Sequence, residues 1–218
     1  AKRIYQSQLF YLFAASQNTD QAIGLTSEAF TGTNYGAIVY GKGAVAMQYL
    51  RSYLGDSIYD EAMHRYFAEW KFKHPQPEDL KHVLETSTGK NLGWFFEGLV
   101  NTDPRMDYAI AKARKHPDYE QFYEIKVTNK GGLNAPYPIS ALDANGKVLK
   151  TIWFNGTAAD TTILFPMGEY HSFRIDAEMD MPEYNRSNDT YRNKGLMHKT
   201  EPIRFQFLGS VDNPYKNQ

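Results

Sequence analysis

Cysteine is absent from these 218 residues, which excludes disulfides and thiolate chemistry. Charge of one sign is also lacking. The 24 Lys and Arg nearly balance the 25 Asp and Glu, for a net charge of −1. Such a chain has no broad field to draw in nucleic acid or an anionic membrane. No apolar run approaches the roughly 18 residues that a membrane-spanning helix needs. There is no internal repeat and no low-complexity tract. A phosphate-binding loop requires Gly-x4-Gly-Lys-Ser/Thr, and here Lys42 is followed by Gly43-Ala44, so that reading fails. None of the six histidines (His64, His74, His82, His116, His171, His198) begins a His-Glu-x-x-His zinc motif.

Aromatic residues, by contrast, are plentiful: 16 Tyr, 13 Phe and 3 Trp, most simply explained by cores built from large side chains. Their spacing changes near residue 104. Before it, apolar residues recur at helical intervals. Ile4, Leu9, Phe10, Leu12 and Phe13 predict a first helix over about 2–17, apolar nearly all round. Met47, Leu50 and Leu54 form one stripe of a second helix, which Gly55 ends. Asp56 opens a third, with the stripe Tyr59, Met63, Tyr66, Phe67 and Trp70. Pro77 suits the first turn of another, with Glu78 and Asp79 at its positive end and Gly89 after it. Leu92, Phe95, Phe96 and Leu99 mark a short last helix. After Pro104 the period becomes two: Tyr108/Ile110, Tyr123/Ile125/Val127, Phe173/Ile175 and Ile203/Phe205/Phe207. Turn signals at 129–132 and at Asn145-Gly146 separate these strands, the pattern of a β-sandwich.

One segment carries chemistry: Asn34-Tyr35-Gly-Ala-Ile-Val-Tyr40-Gly-Lys-Gly-Ala44. A tyrosine at a helix entrance can donate a hydrogen bond into a cleft. The spacing resembles the Tyr-x4-Tyr-x-Lys-Gly segment of the gluzincin zinc aminopeptidases, the membrane alanyl aminopeptidase family. Lys42-Gly43-Ala44, Leu54-Gly55, Tyr66, residues 72–75, Asp79-Leu80 and the Gly89-x-Asn-Leu92-x3-Phe96 stretch extend the resemblance over about residues 30–100. The stretch from Ile175 to Arg186 is similar to an Asp…Pro-Glu-x-Asn-Arg segment of bacterial relatives. Gly36 and Gly41 stand where relatives often carry Ser and Glu.

The resemblance implies an α+β fold: residues 1–103 as the helical second half of a thermolysin-like catalytic domain, and 104–218 as an all-β immunoglobulin-like sandwich. It implies that Tyr40 is the catalytic oxyanion donor. Tyr35 shares that contact or buttresses Tyr40. Spacing alone would leave Tyr40 as one more packed tyrosine. The resemblance further implies a parent zinc aminopeptidase that removes N-terminal residues from peptides. Zinc belongs to that parent, its ligands and general base lie upstream, and none is expected in this chain. The alternative is a non-catalytic helical-plus-sandwich binding or scaffold module of an inactive homologue. Implied partners are a peptide substrate in the parent and the missing N-terminal half of the catalytic domain. Self-association through the first helix, at Leu9, Phe10, Leu12 or Phe13, is also expected, because exposed apolar patches are uncommon in monomers. The bacterial relatives suggest a periplasmic or secreted location. Three Asn-x-Ser/Thr sequons, at Asn155, Asn185 and Asn188, add little.

Other polar groupings take simpler readings. His82 and Glu85, three apart on one helix, have two-ligand spacing but no third ligand, and read as an exposed pair. His64 reads as solvated. Asp176, Glu178, Asp180, Glu183, Asn185, Asn188 and Asp189 read as a solvated acidic loop rather than a calcium site, because Pro182 stands where a glycine turn is required.

Overall fold

The computed structural model describes residues 5–193. They form two compact units, one of residues 5–104 with 180–182 and one of 105–179 with 183–193. The first is helical and the second is built of antiparallel strands, an α+β fold. Among the described residues no helix is long and apolar enough to cross a membrane.

The helical unit begins with α1 (Tyr5–Ser16). A loop leads to a single turn, α2 (Gly32–Asn34), which runs directly into a π-helix, Tyr35–Lys42. Then follow α3 (Gly43–Leu54), α4 (Asp56–Trp70) and α5 (Pro77–Thr88). Glycine ends α3 for a stereochemical reason: Gly55 has φ 86° and its N–H bonds the Arg51 carbonyl at 2.9 Å. At the start of α5, the Gln76 N–H donates to the Asp79 carboxylate at 2.7 Å, one half of a capping box, with Pro77 in the first turn. Gly89 closes α5 with φ 67°. The core joins Val45, Tyr49 and Leu50 of α3 to Val83 and Leu84 of α5 and to Leu92, Phe95 and Leu99, all buried. The Tyr49 and Tyr53 rings meet Trp94 edge-on at 5.1 and 5.3 Å.

Two expectations need correction. The stripe foreseen on α4 is only half-buried at Tyr59, Met63, Tyr66 and Trp70, Phe67 stands 66% exposed, and Ala62 alone is fully buried. On α1, Phe10 and Phe13 are exposed while Tyr11, Ala14 and Ala15 are buried. The last helix, Trp94–Val100, is wound as a π-helix, with the Asn101 N–H reaching back five residues to Phe96.

The strand unit comprises β1 (Tyr108–Lys115), β2 (Phe122–Asn129), β3 (Tyr137–Leu142), β4 (Val148–Phe154), β5 (Thr161–Pro166), β6 (Ser172–Ile175) and β7 (Thr190–Arg192). One sheet has the order β1-β2-β5 and the other β4-β3-β6-β7, with every pairing antiparallel. Alternation places Tyr123, Ile125 and Val127 of β2 inward, while β3 is buried along its whole length. Aromatic side chains join the two sheets: Tyr108 on Tyr137 at 4.4 Å, and Phe173 against Tyr123 at 5.0 Å and Phe165 at 5.2 Å. Asn145-Gly146 turns β3 into β4. Gly146 has φ 82°, and the Asp143 carboxylate accepts from the Asn145 and Lys147 N–H groups. The strand expected at Ile203, Phe205 and Phe207 lies outside the described residues.

Most of the acidic stretch is buried, contrary to its reading from sequence as a solvated loop; Glu178 is exposed. Asp176, Glu183 and Asp189 are buried in the strand unit around a buried arginine, Arg186. Arg186 Nη2 bonds Asp176 Oδ2 at 2.7 Å, and Nη1 lies 3.9 Å from Asp189 Oδ2. Arg174 Nε lies 3.7 Å from Asp189 Oδ1. Glu183 accepts from the Tyr108 N–H at 3.4 Å. Its carboxyl is pushed well above the usual carboxylate range by burial, with Asp107 and Asp189 adding to the shift and Arg186 opposing it. Asp180 belongs to the helical unit, where Gln48 donates to it at 3.3 Å.

Candidate functional site

The tyrosine segment forms the π-helix Tyr35–Lys42. Its sequence, Tyr-Gly-Ala-Ile-Val-Tyr-Gly-Lys, is a weak α-former: two glycines and two β-branched residues lie within eight positions. Gly43 ends it by donating to both the Ile38 and Tyr40 carbonyls, the first of these a five-residue π-type bond. Ala37, Ile38, Gly41 and Lys42 face inward. Gly41 lies where α1 crosses, and a Cβ there would stand 3.0 Å from the Ser7 carbonyl and 3.4 Å from Phe10 Cβ. The glycine that departs from relatives is thus the contact that lets α1 approach.

The outward face carries the two tyrosines. Tyr35 is 43% exposed and Tyr40 67%, so within the helical unit both stand on an open surface. Their ring centroids are 6.0 Å apart, edge to face at 72°, and Phe30 meets Tyr35 in the same way at 6.1 Å. Neither hydroxyl forms a hydrogen bond within the described residues. The Tyr40 O–H therefore has its full donor capacity for a ligand oxygen.

Beneath this face lies a buried polar set that sequence reading missed. Asn34, 3% exposed, donates from Nδ2 to the Thr19 carbonyl and to Gln21 Oε1. Lys42, 1% exposed, donates from Nζ to the Gln21 carbonyl at 3.3 Å and lies 5.8 Å from the Tyr11 ring centroid. The available signal was a lone lysine within an apolar run, between Val39 and Val45.

The other candidates do not converge. His64 and His82 are exposed. Glu85 accepts the Leu92 N–H at 2.7 Å and so caps the segment after α5. Among the described residues no group of three His, Cys, Asp or Glu could hold a metal ion. The described residues therefore do not fit a zinc site, and His198 lies outside them.

Residues 12–99 match the peptidase family M1 domain. The chain is 41% identical over 58 residues to aminopeptidase N of Lactobacillus delbrueckii subsp. lactis, covering 27% of this chain and 7% of that protein. It is 27% identical over 116 residues to the Tricorn protease-interacting factor F2 of Thermoplasma volcanium, covering 51% of this chain and 14% of that one. A crystal structure of Legionella pneumophila aminopeptidase A in complex with aspartic acid superposes with TM-score 0.59 at 19% identity, over 83% of this chain and 21% of that one. That likeness is one of fold. The chain thus spans no more than about a seventh of the length of these curated relatives.

Proposed function

We propose, from the premise that residues 12–99 are a segment of a peptidase family M1 domain, that this chain contributes the oxyanion donor of an aminopeptidase active site. The donor is Tyr40. Hydrolysis of an N-terminal peptide bond passes through a tetrahedral species whose carbonyl oxygen gains negative charge. A neutral phenol O–H aimed at that oxygen is stabilising mainly in the transition state, and one such donor is typically worth about 2.7–4 kcal/mol of barrier. Zinc would supply the Lewis acid and the activated water. Its ligands and the general base would come from residues other than the described ones, among which no group of three could hold a metal ion.

The observation that carries this reading is the combination at Tyr40: an exposed phenol with no hydrogen-bond partner among the described residues, on the π-helix of a segment that matches the family. A tyrosine serving only to pack would be covered, or would have its hydroxyl satisfied. Tyr35, edge-on to Tyr40, would steady its ring.

The experiment is an assay of the full-length product of the gene that encodes this segment. It should release the first residue from peptides with a free N-terminus, spare N-acetylated ones, and lose activity to a zinc chelator. Failure to cleave free-amine peptides when loaded with zinc would reject the aminopeptidase reading.

A further inference from the structure

We infer that Gln21, Asn34 and Lys42 are positioning residues: they hold Tyr35–Lys42 in its π winding, and that winding puts the two tyrosines on one face. The inference rests on the reading of Tyr40 above only for its purpose, not for its geometry.

Residues five apart in an α-helix, at 3.6 per turn, point about 140° away from one another. In a π-helix, at about 4.4 residues per turn, the same spacing leaves them only about 50° apart. Tyr35 and Tyr40 are five apart, and their rings touch at 6.0 Å. With α winding over these eight residues, the Tyr40 phenol would swing away from Tyr35.

A π-helix has poorer geometry than an α-helix and is rare, so something must hold it. Here both of its ends are tied to one residue. At the entrance, Asn34 Nδ2 donates to Gln21 Oε1 at 2.9 Å and also to the Thr19 carbonyl. At the exit, Lys42 Nζ donates to the main-chain carbonyl of Gln21 at 3.3 Å. Gln21 is itself fixed, since its Oε1 accepts the Thr31 N–H at 3.2 Å and its Nε2 donates to the Ala29 carbonyl at 3.0 Å. Rewinding to α would change both the length of the segment and the direction of its last side chain, so it could not keep both attachments. The cost would be the loss of a hydrogen bond by a buried ammonium or a buried amide, and lost buried hydrogen bonds are expensive.

The test is the proton NOE between the Tyr35 and Tyr40 rings in the full 218-residue chain, with tyrosine labelled and each signal assigned by its Phe variant. The Tyr49–Trp94 contact in the core of the same unit is the internal reference. Lys42→Met keeps the stem and removes the ammonium. It should abolish the Tyr35–Tyr40 NOE and leave the Tyr49–Trp94 NOE in place. Retention of both contacts would overturn the inference. If Lys42→Met unfolds the unit and both contacts vanish, Asn34→Ala is read by the same rule. Loss of the tyrosine contact alone supports the inference, while loss or retention of both contacts there as well overturns it. None of these outcomes depends on catalysis, so failure of the clamp would leave the role of Tyr40 standing, and the converse holds.

Discussion

Replacing Arg186 by methionine should unfold the strand unit well below the temperature at which the native protein melts. Arg186 is 5% exposed, and its partners Asp176 and Asp189 are 2% and 0% exposed. The Asp176 contact is a charged hydrogen bond of 2.7 Å, and Asp189 stands 3.9 Å away. Burial alone would push the guanidinium down, but Asp176, Asp189 and Glu183 more than offset it and hold the group above its ordinary value. Removing one member of a buried pair leaves the other as an uncompensated charge, at a cost of about 3–5 kcal/mol. Here Asp176 loses its 2.7 Å charged hydrogen bond, while Asp189 keeps Arg174 at 3.7 Å. Against a typical domain stability of about 5–15 kcal/mol this is a large fraction. At roughly 4–8 °C per kcal/mol for a domain of 60–100 residues, the melting temperature should drop by more than about 12 °C. Differential scanning calorimetry of both proteins at pH 7 gives the comparison. The double variant Arg186→Met/Asp176→Asn should recover part of the loss, because the neutral amide no longer needs a cation. A single-variant cost below about 1 kcal/mol, or no recovery in the double, would refute the account of this cluster.

Two further outcomes follow from the same unit. Glu183 and Asp189 are both raised, first of all by burial, so each binds its proton more tightly folded than unfolded. Their sites cost nothing at pH values where the unfolded groups are protonated, and stability falls as pH rises above the ordinary Glu value of 4.5 toward the folded value. Glu183→Gln should flatten that decline above about pH 4.5, by up to about 1.4 kcal/mol per pH unit; equal slopes in urea titrations would contradict it. The stacked pair Tyr108 and Tyr137 should respond oppositely to loss of the hydroxyl. The Tyr108 hydroxyl lies 3.1 and 3.0 Å from the Leu133 and Ala135 carbonyls and accepts the Ala135 N–H at 3.2 Å, so Tyr108→Phe should cost about 1–3 kcal/mol. The Tyr137 hydroxyl is buried without a partner among the described residues, and Tyr137→Phe should be neutral or stabilising; denaturant midpoints separate the two.

How much of this was legible in the sequence depended on whether the cause was local. Gly55, Pro77, Gly89 and Asn145-Gly146 announced their helix ends and turn because backbone conformation decides them. The alternation in β2 announced its inward face. The π winding left no such mark: eight residues are too few for a period near 4.4 to be told from 3.6. The acidic stretch misled because the cations that bury it, Arg174 and Arg186, act through a fold that brings β6 and the turn before β7 together. Asn34 and Lys42 were missed as a set for the same reason, since their common partner Gln21 lies thirteen and twenty-one residues away in the chain. Tyr40 was found through its resemblance to relatives, not through its spacing.

The central claim is that Tyr40 acts in the transition state, and the kinetics of Tyr40→Phe in the full-length polypeptide test it most directly. The ring is kept and the hydroxyl has no hydrogen-bond partner among the described residues, so melting should be unchanged. The expected result is a fall in kcat of about 10²–10³ with little change in KM, the signature of an interaction made only in the transition state. An unchanged kcat would contradict it and return Tyr40 to being an exposed tyrosine on a surface helix.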